Sequence, residues 1–217
     1  LFPYPTLFRS RSIPFYDIRE NRGQLRNMFV RTTDAGAVMV IVCFGEDFPL
    51  RAPLLDSVAK EFPQISSLYY VINEKKNDTI GDQTCILHSG EAAIYEEMEG
   101  LRFKIGPKSF YQTNSRQAEK LYGVARDFVQ LKGDEVVYDL YTGTGTIAQF
   151  VSAGAGKVIG IEYVPEAIED ANANAAAWAG YILEAESLFG QEAEVVFQSH
   201  NWPHWGNENL RQYMERS

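Results

Sequence analysis

The chain has 217 residues, 45% hydrophobic and 23% charged, a composition that suits a globular protein of one large domain or two small ones. Lys and Arg number 20 against 29 Asp and Glu, and the net charge of −9 is the wrong sign for a chain that holds phosphates over its whole surface. No apolar run approaches the roughly 20 residues that span a bilayer, and no secretory leader is visible. The expected location is therefore cytoplasmic. Cys43 and Cys85 lie far apart without CxxC spacing, so neither a disulfide framework nor a thiolate zinc site has support, and no metal is expected.

Residues 1–10, Leu-Phe-Pro-Tyr-Pro-Thr-Leu-Phe-Arg-Ser, follow neither a helical nor an alternating period. Apart from Pro5 they match the conceptual translation of a common sequencing adapter, and they are set aside as an adapter scar. The alternative is a flexible terminus. On the adapter reading the chain is a fragment of an assembled read.

From Ile13 the pattern turns to short strands at Phe15–Ile18, Met28–Thr32 and Val38–Phe44. The last two bracket the turn residues Asp34, Ala35 and Gly36 and predict a β-hairpin. Leu50–Phe62 places Leu54, Leu55, Val58 and Phe62 at the rhythm of an amphipathic helix, which Pro63 stops. Ser67–Ile72 reads as a strand, and shorter strands are expected around Thr84–Leu87, Ala93–Glu96 and Leu101–Ile105. Residues 11–108 are thus predicted to form a central α+β domain, a sheet with one helix.

Ser115 is placed to cap a helix in which Ala118, Leu121, Tyr122, Ala125, Phe128 and Val129 line one face, ending near Gly133. The character then shifts to α/β. Val136–Leu140 is a continuous apolar run, expected as a parallel strand buried on both faces, and it opens into Tyr141-Thr142-Gly143-Thr144-Gly145-Thr146. A helix from about Thr146 returns to a second strand, Lys157–Ile161, which ends at Glu162. Pro165 suits the first turn of the next helix. This βαβ unit is Rossmann-like.

Gly143 and Gly145 stand in the turn between strand and helix, where backbone approaches a ligand without Cβ atoms in the way. Glu162, at the end of the second strand, can accept hydrogen bonds from the vicinal hydroxyls of an adenosine ribose. The third position of a GxGxxG pattern is Ala148. GxGxxA is tolerated, so a nicotinamide or flavin dinucleotide stays open beside the favoured S-adenosylmethionine. A tight turn without any ligand is a third reading.

Three segments together closely resemble the RNA uracil-C5 methyltransferases of the RumA and TrmA type. They are Phe103-Lys-Ile-Gly-Pro-Lys-Ser-Phe110-Tyr111-Gln112-Thr113-Asn114, Tyr138-Asp-Leu-Tyr-Thr-Gly-Thr-Gly-Thr146 and Val158-Ile-Gly-Ile-Glu-Tyr-Val-Pro-Glu-Ala-Ile168. The runs Leu25-Arg-Asn-Met28 and Val71-Ile-Asn-Glu-Lys-Lys-Asn77 resemble the family's central domain, so the likeness covers about residues 13–176. The nearest branch is the one that methylates uracil in 23S ribosomal RNA, and transfer RNA is the alternative substrate. The resemblance implies S-adenosyl-L-methionine as cofactor, RNA as partner, and cofactor contacts from Gln112, Tyr141, Gly143, Gly145 and Glu162. Gln112 offers an amide to the amino-acid end of the cofactor, and Tyr141 packs against it. The alternatives are that Gln112 ties a strand to the next helix and that Tyr141 belongs to the core. Asn114 is open between helix entry and ligand. The implied architecture is an α+β central domain followed, over residues 109–176, by the first half of a truncated Rossmann-like α/β methyltransferase domain.

Carbon 5 of uracil is a poor nucleophile, so enzymes of this type attack carbon 6 with a cysteine thiolate to make an enolate that takes the methyl group. The target base must be extruded from its stack. The family's Asp-Pro-Pro-Arg and Ser-Cys-Asn-Pro segments do not occur here. Cys43 and Cys85 sit in apolar strand runs and read as small buried hydrophobes. No catalytic residue is assigned, and the chain as written is expected to be inactive. The family's iron-sulfur cysteines and RNA-binding barrel would lie upstream. Arg26, Arg31, Lys75 and Lys76 are phosphate contacts or, more simply, solvated surface charge.

Beyond Ala176 the resemblance fails, and residues 177–217 read as a divergent or frameshifted tail in which Ala193–Gln198 is still a candidate strand. His200 and His204 do not suggest a metal pair, because Pro203 intervenes. His88 has no partner motif. The alternatives to the family reading are a Rossmann-like methyltransferase on another substrate and a non-catalytic RNA- or partner-binding module. A Rossmann sheet cut after two or three strands is expected to leave a central strand with an unpaired apolar edge and a tendency to aggregate.

Overall fold

The computed structural model describes residues 13–162, 164–176, 181–187 and 193–199, the last two segments through their backbone. Residues 1–10, His200 and His204, and with them the adapter reading and the rejected metal pair, lie outside the described residues.

The first sheet is built from β1 (Leu25–Thr32), β2 (Val38–Phe44), β3 (Ser67–Ile72) and β4 (Ile86–Gly90), which are neighbours in that order. β1 and β2 form the expected hairpin, with Val30 opposite Val40. β2 and β3 are parallel because helix α1 (Arg51–Glu61) carries the chain back between them, and β4 returns antiparallel. β2 is apolar throughout because both its faces are covered. Val40, Val42 and Phe44 pack with Leu54, Leu55 and Val58 of α1. Met39, Ile41 and Cys43 meet Ile94 and Ile105, which belong to a second hairpin of β5 (Ile94–Met98) and β6 (Leu101–Ile105). Each large side chain so buried contributes roughly 1.5–3 kcal/mol.

Phe15–Ile18 is not the strand its composition suggests. Only isolated bridges join Phe15 to Leu25 and Asp17 to Arg22, because the Asp17 carboxylate accepts the amides of Arg19 and Glu20 and closes a local turn instead.

Helix α2 (Ser115–Val129) is capped by Asn114, not Ser115: the Asn114 side chain accepts the Gln117 amide at 3.1 Å. The Ser115 hydroxyl is engaged elsewhere and donates to the Glu96 carboxylate at 2.6 Å. Of the expected apolar face only Ala118 and Tyr122 are buried, with Tyr122 edge-on to Phe150. Leu121, Ala125, Phe128 and Val129 are exposed, Phe128 by 82%. The amphipathic rhythm is real, but no described element covers this stripe.

The second sheet contains β7 (Val136–Leu140) and β8 (Lys157–Glu162), parallel across helix α3 (Thr146–Ser152). Helix α4 (Pro165–Ala176) follows, then β9 (Tyr181–Ser187) and β10 (Ala193–Ser199). The spatial order is β7-β8-β10-β9, and β10 runs antiparallel to both its neighbours. Ala148, Val151, Val158, Ile168 and Ala171 form the core beneath. The β9–β10 hairpin extends the sheet beyond β8, so that among the described strands an unpaired edge of the kind expected of a cut sheet falls on β7. One expectation changes: β7 is not buried on both faces, for Val136, Tyr138 and Leu140 are exposed while Val137 and Asp139 turn inward. The molecule is a mixed α/β structure, and among the described residues no helix is long and apolar enough to cross a membrane.

Candidate functional site

The turn from β7 to α3 departs from ordinary backbone at three positions, with φ of +62° at Tyr141, +57° at Gly143 and +76° at Gly145, the N-cap of α3. Nothing lies within 4 Å of where a Gly143 Cβ would stand, so it is the backbone angle and not crowding that calls for glycine there. Tyr141 adopts the same region without that freedom, at a cost of about 1–2 kcal/mol. The residue is 87% exposed, which removes the reading of Tyr141 as core. The Thr142 amide donates to the Ile161 carbonyl at 3.0 Å and stitches the turn to β8.

Two carboxylates shape this turn from beneath. Glu162, only 8% exposed, accepts the Gly143 amide on Oε2 at 2.9 Å and the Val164 amide on Oε1 at 3.0 Å. Asp139 accepts the Thr142 hydroxyl at 2.7 Å and the Ala148 amide at 3.1 Å on one oxygen, Oδ2. Burial raises the Asp139 pKa and outweighs the opposing pull of those hydrogen bonds, with the Glu162 charge adding to the rise. Sequence reasoning placed Glu162 beside the turn but missed that its carboxylate also holds the turn together.

Gln112 arrives from the other side. It is exposed, and its side chain hydrogen-bonds the Tyr122 phenol, which feels the Asp139 charge and whose pKa burial raises. Gln112 is thus tied to Tyr122, which senses the charge of Asp139, the carboxylate that holds Thr142 and Ala148 of the turn. The tie from Gln112 runs to helix α2, as its structural alternative required, while Asn114 is the helix cap. The loop before Gln112 is anchored at both ends: Arg31 donates to the carbonyls of Pro107 and Ser109, and the Ser109 hydroxyl donates to Asp170 of α4. Asp170 also pairs with Lys104 at 2.9 Å. Asn174, one helical turn on, accepts the Lys104 amide at 2.5 Å and donates to the Thr144 carbonyl at 3.0 Å. The only sequence signal for these contacts was the i, i+4 spacing of Asp170 and Asn174.

Most of the remaining candidates are structural. The Arg26 guanidinium is buried and clamps the carbonyls of Asn73, Lys75 and Asn77 together with Asp78. Arg31 is likewise engaged, with the loop above, so these two guanidinium groups are structural, whereas Lys75 sits in an exposed pair with Asp82 and Lys76 is exposed, as surface charge would be. His88 does have a partner, Asp56, at 2.9 Å. Burial pushes the Cys43 thiol up to about 12 and raises that of Cys85, the opposite of what a nucleophile needs. Among the described residues no cluster of histidine, cysteine and carboxylate side chains is placed to hold a metal.

No protein-family model matches the chain. A Porphyromonas gingivalis protein named an uncharacterized RNA methyltransferase is 62% identical over 162 residues, which is 74% of this chain and 35% of that protein. A Bacteroides thetaiotaomicron protein of the same name is 56% identical over 165 residues, 74% of this chain and 36% of its own length. The chain thus spans just over a third of each of these relatives. Among solved structures, the Pyrococcus abyssi tRNA (uracil-54, C5)-methyltransferase in complex with S-adenosyl-L-homocysteine matches with a TM-score of 0.63 and 25% identity, over 79% of this chain and 41% of that one.

Proposed function

We propose that this chain is the cofactor-binding portion of an S-adenosylmethionine-dependent RNA methyltransferase that acts on carbon 5 of uracil. The observation that carries the reading is the Glu162 carboxylate at the end of β8, hydrogen-bonded to the Gly143 amide of a left-handed glycine turn. A ribose-binding carboxylate and a cofactor-cradling turn meet at that point. On this reading residues 11–108 are the central α+β domain and residues 109–176 the first half of the methyltransferase domain.

The residues present fit the group. Bound there, S-adenosylmethionine supplies a methyl group on a positively charged sulfur. Glu162 accepts the ribose hydroxyls, a carboxylate having room for about four hydrogen bonds. Gln112 takes the amino-acid end, beside a turn whose Gly143 and Gly145 amides are donated to Glu162 and to the Thr142 carbonyl, and the exposed Tyr141 packs against the cofactor. Asp139 keeps the turn in shape. Neither Cys43 nor Cys85 can supply the thiolate that attacks carbon 6, so the chain as it stands binds cofactor and transfers no methyl group.

RNA as substrate is supported by the names of the relatives. Within RNA, the motifs of residues 103–168 favour 23S ribosomal RNA. Transfer RNA is the second reading, favoured by the Pyrococcus abyssi structure. Loss of 5-methyluridine from 23S ribosomal RNA or from transfer RNA, after deletion of the gene for the Porphyromonas gingivalis relative, separates the two.

The test of the site is isothermal titration of S-adenosylhomocysteine into the purified chain and its Glu162→Ala variant. Binding by the wild type that weakens at least tenfold in the variant is the expected result. No binding by the folded wild type, or equal binding by both, overturns the assignment.

A further inference from the structure

Gln112 and the glycine turn come from segments far apart in sequence, yet a cofactor that spans them needs a fixed separation. Helix α4 touches the Lys104–Ser109 segment that leads to Gln112 and the glycine turn itself. The planar amide of Asn174 is 2% exposed and bridges two backbones: its oxygen accepts the Lys104 amide on β6, and its nitrogen donates to the Thr144 carbonyl between Gly143 and Gly145. One turn earlier Asp170 holds the Lys104 ammonium and the Ser109 hydroxyl, and the Ser109 oxygen in turn accepts the Gly106 amide at 2.8 Å. Ser109 is three residues from Gln112, within about 10 Å of extended chain, so pinning Ser109 confines Gln112. Gly106 fits the same clamp, because a Cβ there would stand 3.1 Å from Ser109 Oγ and 3.2 Å from an Asp170 oxygen.

We propose that Asn174, seconded by Asp170 through Ser109, is a positioning residue that sets the distance between the Gln112 loop and the glycine turn and so selects for the amino-acid end of the cofactor. The proposal rests on the cofactor reading above. The chemistry explains the residue type: the bridge needs one donor and one acceptor on a single rigid group. Aspartate has no donor for Thr144, and alanine has neither function. The bond to Thr144 is buried and the bond to Lys104 partly so, which shields the bridge from water.

A merely structural Asn174 would lower the melting temperature and leave the folded protein indifferent to which part of a ligand is present. A positioning role separates two ligands. S-adenosylhomocysteine carries the amino-acid end, whereas adenosine lacks it and leans on the Glu162 side of the site. Titration of both ligands into the wild-type chain, Asn174→Asp and Asn174→Ala is expected to show S-adenosylhomocysteine weakened at least tenfold and adenosine changed less than twofold. Ser109→Ala, which breaks the tie to Asp170 from the loop side, serves if the Asn174 variants do not fold, and is expected to show the same selectivity at about threefold. Equal weakening of both ligands, or no change in either, overturns the proposal while the cofactor reading stands. A folded wild type that binds neither ligand overturns both.

Discussion

The Asp139 carboxylate is buried at the end of β7 with both its described donors on one oxygen. Desolvation dominates and raises its pKa. An acid that binds its proton more tightly folded than unfolded stabilises the fold fully below the unfolded carboxylate value, about 3.9. That contribution is lost as pH rises through the higher folded value. Asp139→Asn keeps an oxygen for Thr142 and Ala148 and removes the charge. It should therefore melt above the wild type at pH 7, with the gap narrowing as pH falls toward 4. Thermal melts across that range check it, and a lower melting temperature for the variant at pH 7 would mean that the charge-assisted hydrogen bonds outweigh burial. At this scale Gln112, Tyr141, Gly143, Gly145 and Glu162 stood out because each belongs to a short motif. Asp170 and Asn174 did not, because Glu-Asp-Ala-Asn-Ala-Asn reads as the solvated side of a helix until Lys104 and Ser109, more than sixty residues earlier, fold against it.

Element boundaries were legible wherever a local cause fixes them. β2 and β3 follow apolar runs, β6 follows the alternation of Leu101, Phe103 and Ile105, α1 stops where Pro63 follows closely, and α4 starts at Pro165. The start of α2 shows the limit, because Asn114 and Ser115 are both good caps and only a distant partner decides between them. Glu96, fully buried, accepts the Asp34 amide, the Glu97 amide and the Ser115 hydroxyl, which removes Ser115 from capping and leaves the role to Asn114. Asn114→Ala is expected to cost about 1 kcal/mol, or roughly 2–4 °C in melting temperature for a chain of this size. An unchanged melting temperature would return the cap to Ser115. β9 had no such signal, since among the described residues it pairs with β10 and depends on a hairpin that the sequence did not announce.

At the scale of the molecule, the unpaired apolar edge expected of a cut sheet falls, among the described strands, on β7, where Val136, Tyr138 and Leu140 are exposed at the end of the sheet. Exposed apolar edges of this kind invite pairing with another chain. The protein is expected to self-associate as its concentration rises, and Val136→Lys to reduce that association, with sedimentation velocity as the readout. A strictly monomeric wild type would contradict this. Each copy carries a net charge of −9, so contact through the edge brings like-charged bodies together. Counterions screen that repulsion within about 10 Å at 0.1 M ionic strength. Association through this edge therefore strengthens with added salt, the reverse of an assembly held by ion pairs.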